Sequence, residues 1–238
     1  PGNATAFVLS DVPGDVLATV ASGPTVPNTD APDAAESVLR NFNVWDSAPQ
    51  SVRAALGRTF ADTATPAETV LIGGNAPSVD AMEQAAALAG QGKVCRYHGW
   101  LDGDVADAAA RIVSDMRAVT GPCTLLYGGE TTVVVTGKGK GGRNQDLALR
   151  VALLLEADPI ARDWAFLSGG TDGRDGPTDA AGGIVSPKTL AAIRTGGIDP
   201  AAALATNDAY TALNAGSALL MTGATGTNVA DLQVAVIS

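Results

Sequence analysis

Basic residues, histidine, cysteine, aromatic rings and long apolar runs are all scarce in this chain. Lysine and arginine total 15 against 25 acidic residues, a formal charge of −10. A surface that negative repels a polyphosphate backbone and an anionic bilayer, which argues against nucleic-acid and membrane partners. No apolar run approaches the roughly 18 residues that a membrane-spanning helix needs. Pro1 is followed by no basic stretch and no apolar signal-peptide core, so a cytoplasmic location is expected. Two cysteines, Cys95 and Cys123, are too few for a disulfide framework and read as buried thiols. The one histidine, His98, argues against a Ser-His-Asp hydrolase, and its place before Gly99-Trp100 reads as structural.

What remains is an ordinary globular composition. Of 238 residues, 46% are apolar and 17% charged. A chain of this length buries roughly 70–75% of its unfolded surface without staples. Its carboxylates are 20 aspartates and only five glutamates, and 28 residues are glycine. Aspartate favours caps, turns and ligand loops, so the acids are expected at the ends of elements in a loop-rich α/β protein.

Short apolar runs bounded by Gly, Pro or Asp predict strands at 5–10, 69–73, 94–97, 124–127, 132–136, 164–168, 218–221 and 232–237. Helical spacing covers 33–42, 48–57 and 76–89. It continues at 104–118, with Val105, Ala109, Ile112 and Met116 on one face. At 143–156 the same face carries Leu147, Val151, Leu154 and Leu155. Pro187 and Pro200 mark two further short helix starts. The alternation of strand and helix, with mostly continuous apolar strands, predicts largely parallel sheets covered by helices. A change of texture at Thr120-Gly121-Pro122 places a domain boundary there, giving domains 1–121 and 122–238.

Three loops hold residues suited to chemistry. Gly137-Lys138-Gly139-Lys140-Gly141-Gly142-Arg143 lies between a strand and a helix and gathers three cations in a protein of negative charge. Glycines permit close approach of the backbone to an anion, and a helix start offers free N–H groups. The loop reads as a phosphate or carboxylate site, or as a solvated hairpin. The literal dinucleotide fingerprint Gly137-x-Gly139-x-x-Gly142 lacks its acidic partner, because the next strand ends in Ser168-Gly169-Gly170. The second loop, 168–183, carries Asp172, Asp175 and Asp179, which suit Mg²⁺ or a network of Asx caps. The third runs from Ser10-Asp11 through Asp15 to Ser22-Gly23-Pro24-Thr25 and leaves a strand end, where catalytic or metal-binding acids lie in many α/β enzymes. Asn75, after Gly73-Gly74, and Glu130, after Gly128-Gly129, stand at two more strand ends.

In order, SDVPGD, SGPT, GGETTV, GKGKGGRNQDLAL, SGGTDGRDGPTDAAGGIV and TGATGTNVADL resemble the type II glycerate kinases. The last four resemble their C-terminal MOFRL module, and the resemblance runs over nearly the whole chain. It implies ATP and Mg²⁺ as cofactors, transfer of phosphate to D-glycerate to give 2-phosphoglycerate, and two α/β domains around a cleft: the remnant of a Rossmann-like domain at 1–121 and a smaller MOFRL domain at 122–238. Relatives also carry the name hydroxypyruvate reductase, so an NAD(P)H-dependent reductase of hydroxypyruvate stands as an alternative, and a non-catalytic ligand-binding module as another. Arg143 matches the family's catalytic arginine, and Asp11 and Asp15 match its first strand-end loop. From its place at a strand end, Asp11 is assigned a catalytic role, and the loop residues are read in the same way. Asp15, Asn75, Lys138, Gly139, Lys140, Gly141 and Gly142 are assigned to cofactor, and Ser22, Glu130 and Asp172 to substrate. Asp172 and Asp175 are assigned to metal. The family's N-terminal segment with its catalytic lysine has no counterpart in these residues, so the chain is expected to be the C-terminal part of such an enzyme and inactive alone. A homodimer is left open.

Overall fold

The structure, a computed structural model, describes residues 4–27, 33–56, 67–90 and 92–238. They fall into two compact units. One is drawn from Pro1–Val8 and Val16–Leu71, the other from Leu9–Asp15 and Ile72–Ser238. The expected boundary at 121–122 lies inside the second unit.

In the first unit, β1 (Ala4–Leu9) and β2 (Ala67–Gly73) form a two-stranded sheet, their last residues running into the second unit. Helices α1 (Ala34–Asn41) and α2 (Gln50–Leu56) follow the predicted periodicity, and residue 57 of the predicted second helix lies outside the described residues. Glu36 and Arg40 pair one turn apart on α1, at 2.7 Å. Among the described residues of this unit, Val20 is the one buried hydrophobic.

The second unit carries α3 (Asn75–Ala89), β3 (Lys93–Arg96), α4 (Val105–Ala118), β4 (Cys123–Gly129) and α5 (Arg143–Ala157). It continues with β5 (Trp164–Gly170), β6 (Gly182–Val185), α6 (Thr189–Thr195), α7 (Pro200–Ala205), α8 (Ala209–Ala215), β7 (Leu219–Leu220) and β8 (Asp231–Ile237). Its sheet runs β3-β4-β8-β5-β6-β7. The α/β class stands, but the strand directions are mixed. Among the described residues of this sheet, β3 and β4 pair in parallel, while β4–β8, β8–β5, β5–β6 and β6–β7 are antiparallel. A continuous apolar strand reports burial of both faces and not direction. All seven residues of β4 are buried, yet β8 lies antiparallel beside it.

Helix α4 buries Val105, Ala109, Ile112 and Met116 as its spacing predicts. Helix α5 buries Leu147, Val151 and Leu155 but leaves Leu154 exposed. With Tyr127, Phe166 and Ile237 from the sheet these side chains form one core. Such a core stabilises the fold by roughly 25 cal/mol for each Å² of apolar surface it removes from water. The predicted strand at 132–136 does not form: only Thr132 makes a bridge, to Asp104. The Asn207 side chain stands in for a partner strand. Its Oδ1 accepts from the N–H groups of Thr136 and Gly137 (2.8 Å each), and its Nδ2 donates to the Val134 carbonyl (3.2 Å). Strand β6, hidden in a Gly-Gly sequence, and helix α8, only seven residues long, carried too weak a local pattern to be read beforehand.

Candidate active site

Helix α5 begins where the cationic loop ends, and its first turn is polar and buried. Asn144, Gln145 and Asp146 are each at most 2% exposed. A helix start buried in this way needs acceptors for its free N–H groups. Asp175 supplies them. Its Oδ1 accepts from the Asn144 N–H (3.0 Å) and its Oδ2 from the Gln145 N–H (2.8 Å). Gly142 makes room, since a Cβ there would lie 2.4 Å from the Asp175 carboxyl carbon. Gln145 Nε2 also donates to Thr178 Oγ1 (2.8 Å), and Thr178 Oγ1 to the Asp175 carbonyl (2.8 Å), which fixes the loop that presents the acid. Burial pushes the Asp175 carboxyl up to about 6 against the opposing effect of the two N–H bonds. The helix start that the sequence offers to a ligand is therefore taken by a carboxylate of the chain itself, and both oxygens of Asp175, read as a metal ligand, are turned to α5.

Arg143, the first residue of α5, points the other way. Its Nε and Nη2 donate to the two oxygens of Asp231 at 2.6 and 3.0 Å, a bidentate fork. Its Nη1 lies 2.9 Å from Glu130 Oε1. The Asp231 side chain is 1% exposed, that of Arg143 34% and that of Glu130 43%. One side of the guanidinium is thus anchored in the protein and the other reaches solvent. The bonds to Asp231, opposed by partial burial, hold Arg143 more firmly protonated than a free guanidinium. A guanidinium carries five N–H groups, and the fork to Asp231 uses two of them.

Arg143 and Glu130 line a cleft of about 610 Å³ with Trp100, Thr131, Val133 and Pro177. Gly141, Gly142 and Asp175 also border it. The two lysines of the loop do not. Lys138 is exposed, and Lys140 Nζ stacks 4.0 Å from the centre of the Tyr210 ring. The Gly139 N–H donates to the Thr206 carbonyl (2.9 Å) and the Lys140 N–H to Asp208 Oδ1 (2.9 Å). A Cβ at residue 137 would lie 2.1 Å from the Thr206 oxygen. The loop's glycines thus answer to the close approach of residues 206–208, where the sequence suggested an anion.

The other candidates are dispersed. Asp11 is exposed, accepts from Asn228 Nδ2 (3.0 Å) and does not line this cleft. Asp15 and Asn75 line a separate cavity of about 210 Å³ that shares Trp100 with the cleft. The buried Asn75 amide donates to the carbonyls of Val229 (2.8 Å) and Asp231 (2.9 Å). Asp172 is exposed, with Oδ1 accepting from the Arg174 N–H (2.8 Å). Ser22 belongs to the first unit and closes a short turn there at φ 64°. Sequence reasoning missed Asp231 and Trp100. The segment ending in Ala230-Asp231-Leu232 was singled out as a motif, but nothing local tied Asp231 to an arginine 88 residues away.

Among the described residues no three His, Cys, Asp or Glu side chains gather into a metal-holding cluster. Asp172 does not line the cleft, and the described residues offer no all-protein cage for Mg²⁺.

Residues 123–231 match the MOFRL family, and residues 1–57 match a domain of unknown function, DUF4147. The chain is 39% identical over 244 residues to a D-glycerate 2-kinase of Thermotoga maritima, covering 100% of this chain and 57% of that protein. It is 36% identical over 282 residues to a glycerate kinase of Macaca fascicularis, covering 97% and 71%. The crystal structure of glycerate kinase from Thermotoga maritima superposes with a TM-score of 0.85 at 38% identity, covering 100% of this chain and 58% of that one. A protein of Pyrococcus horikoshii superposes with a TM-score of 0.78 at 34% identity. The chain thus spans a little over half the length of several of these relatives.

Proposed function

The chain belongs to the glycerate kinase family, and from that premise we propose that an intact protein carrying it transfers the terminal phosphoryl group of ATP to the C2 hydroxyl of D-glycerate. The products are 2-phosphoglycerate and ADP, and the hydroxyl proton is lost. The observation that carries the reading is Arg143, anchored by Asp231 and open to the cleft. At about 610 Å³ the cleft falls in the range of small-molecule sites. Phosphoryl transfer needs little covalent help and much positioning of positive charge around the moving group. The N–H groups of Arg143 that Asp231 does not take suit the paired oxygens of a phosphate or carboxylate. Glu130 occupies part of that face, and its ion pair with Arg143 is exposed, so an incoming anion exchanges one weak pair for another.

Mg²⁺ would arrive with the nucleotide phosphates in this reading and would supply charge neutralisation, with Asp172 the carboxylate proposed to hold it. Since the chain spans 57% of the Thermotoga relative, turnover is expected of the intact protein and not of these 238 residues alone. A coupled assay tests it. D-glycerate should drive ADP release by the intact protein, the isolated 238 residues should show less than about a tenth of that rate, and hydroxypyruvate should drive no NADH oxidation. NADH loss with hydroxypyruvate and no ADP from glycerate would replace the kinase by a reductase.

A further inference from the structure

We infer that Asp231 is a positioning residue for Arg143, and that the strained turn before it, clamped by the Asn75 amide, belongs to the same device. The inference rests on the reading of Arg143 as the group that meets the reacting anion.

Asp231 opens β8, and in the sheet it stands opposite two glycines, Gly129 of β4 and Gly170 of β5. A Cβ at residue 170 would lie 2.7 Å from the Arg174 carbonyl oxygen and in ordinary contact, 3.5 Å, with Asp231 Oδ1. The residue before it, Ala230, lies at φ 65°, in the left-handed region that alanine avoids. Such a conformation persists where the surroundings over-determine it, and here they do. Asn75 Nδ2 bridges the carbonyls on either side, those of Val229 and Asp231. The Thr171 N–H and Oγ1 both donate to the Ala230 carbonyl (3.0 and 2.7 Å), and the Val229 N–H donates back to Thr171 Oγ1 (2.8 Å). The Ala230 N–H donates to Asn228 Oδ1 (3.1 Å).

The turn therefore fixes where the Asp231 carboxylate starts, and the fork fixes the plane of the guanidinium. An unanchored arginine has many rotamers to lose when it binds an anion. Anchoring removes that loss in advance and holds the outward edge of the guanidinium in place beside the cleft. Asn75, expected from its strand-end loop to meet the cofactor, acts in this scheme through backbone carbonyls and Asp231.

A double-mutant cycle on the intact protein tests the inference, with kcat and KM for D-glycerate and ATP measured beside melting curves. Asp231→Asn keeps one acceptor and loses the fork. Its kcat should fall about 10–100-fold, the scale seen when the outer partner of a functional side chain is removed. In the Arg143→Lys background, where the fork is already gone, the same change should alter kcat by no more than about twofold. A merely structural residue would lower the melting temperature equally in both backgrounds and leave the single-variant kcat near normal. Asn75→Ala removes both bonds to the turn and should show the same non-additivity with a smaller loss, so it carries the test if Asp231→Asn does not fold. Unchanged kcat in Asp231→Asn beside an impaired Arg143→Lys, or losses that multiply, would overturn the inference. An unimpaired Arg143→Lys would overturn the reading of Arg143 itself, and the inference with it.

Discussion

Arg143 and Asp175 leave the start of α5 in opposite directions, one to the cleft and one to the helix. As a loop-end arginine, Arg143 reads in sequence as burying little and mattering little to stability. Its fork with a carboxylate that is 1% exposed changes that, because removing the guanidinium leaves a buried charge uncompensated. Asp175 gives a prediction in pH. Its folded-state carboxyl is raised to about 6 from an ordinary 3.8. Between those values the folded state holds a proton that the unfolded chain has released. The stability this group contributes is therefore fully present below about pH 4 and is lost as pH rises through about 6. The wild type should lose on the order of 2–3 kcal/mol relative to Asp175→Asn across that window. Urea unfolding of both proteins from pH 4 to 7.5 checks it, and parallel curves would show that Asp175 titrates normally.

At the scale of elements, the junction of loop and helix carries the site. The residue before Arg143 must be glycine because the loop bearing Asp175 passes against it. A methyl at 142 would meet not only the flexible carboxyl but also the Asp175 backbone carbonyl carbon at 2.5 Å, and backbone cannot step aside. Gly142→Ala should cost about 2 kcal/mol or more in unfolding free energy and should displace Arg143 with it. In the intact protein kcat should fall together with the urea midpoint. A stable and fully active Gly142→Ala would mean that the packing of 142 against 175 is looser than described. The loop before this junction shows why a glycine-rich pattern is ambiguous. Glycine is demanded by any close approach, and at 137 the neighbour is the Thr206 carbonyl.

Across the whole molecule the two units differ in how much they bury. The second holds a continuous core on α4, α5 and the sheet, while Val20 is the one buried hydrophobic among the described residues of the first. Local opening costs little where few apolar contacts are broken. In the 238-residue chain, amide hydrogen exchange of β4, β8 and α5 should require global unfolding, whereas that of α1 and α2 should proceed through small local openings. Equal protection in both units would show that the first unit is held by more than its own core. The acidic balance acts at this scale too, since a net charge of −10 leaves Arg143 a local exception in a field that repels anions.

Several things were determined by the sequence alone. Periodicity placed α4 and α5, because a helix that packs on one side must repeat its apolar residues every three or four positions. Apolar runs placed β4 and β8, and the change from glycines to helical periodicity placed Arg143 at a helix start. Strand direction was decided only in the tertiary structure, since a strand buried on both faces looks the same whichever way its neighbour runs. The absence of the 132–136 strand was decided there as well, by the Asn207 side chain. So were the two fates of the anion-seeking groups: the α5 N–H groups turned to Asp175, and the guanidinium turned to Asp231 and the cleft. Those pairings join residues 30 to 88 positions apart, and no local pattern carries the distance between two such residues until the chain has folded.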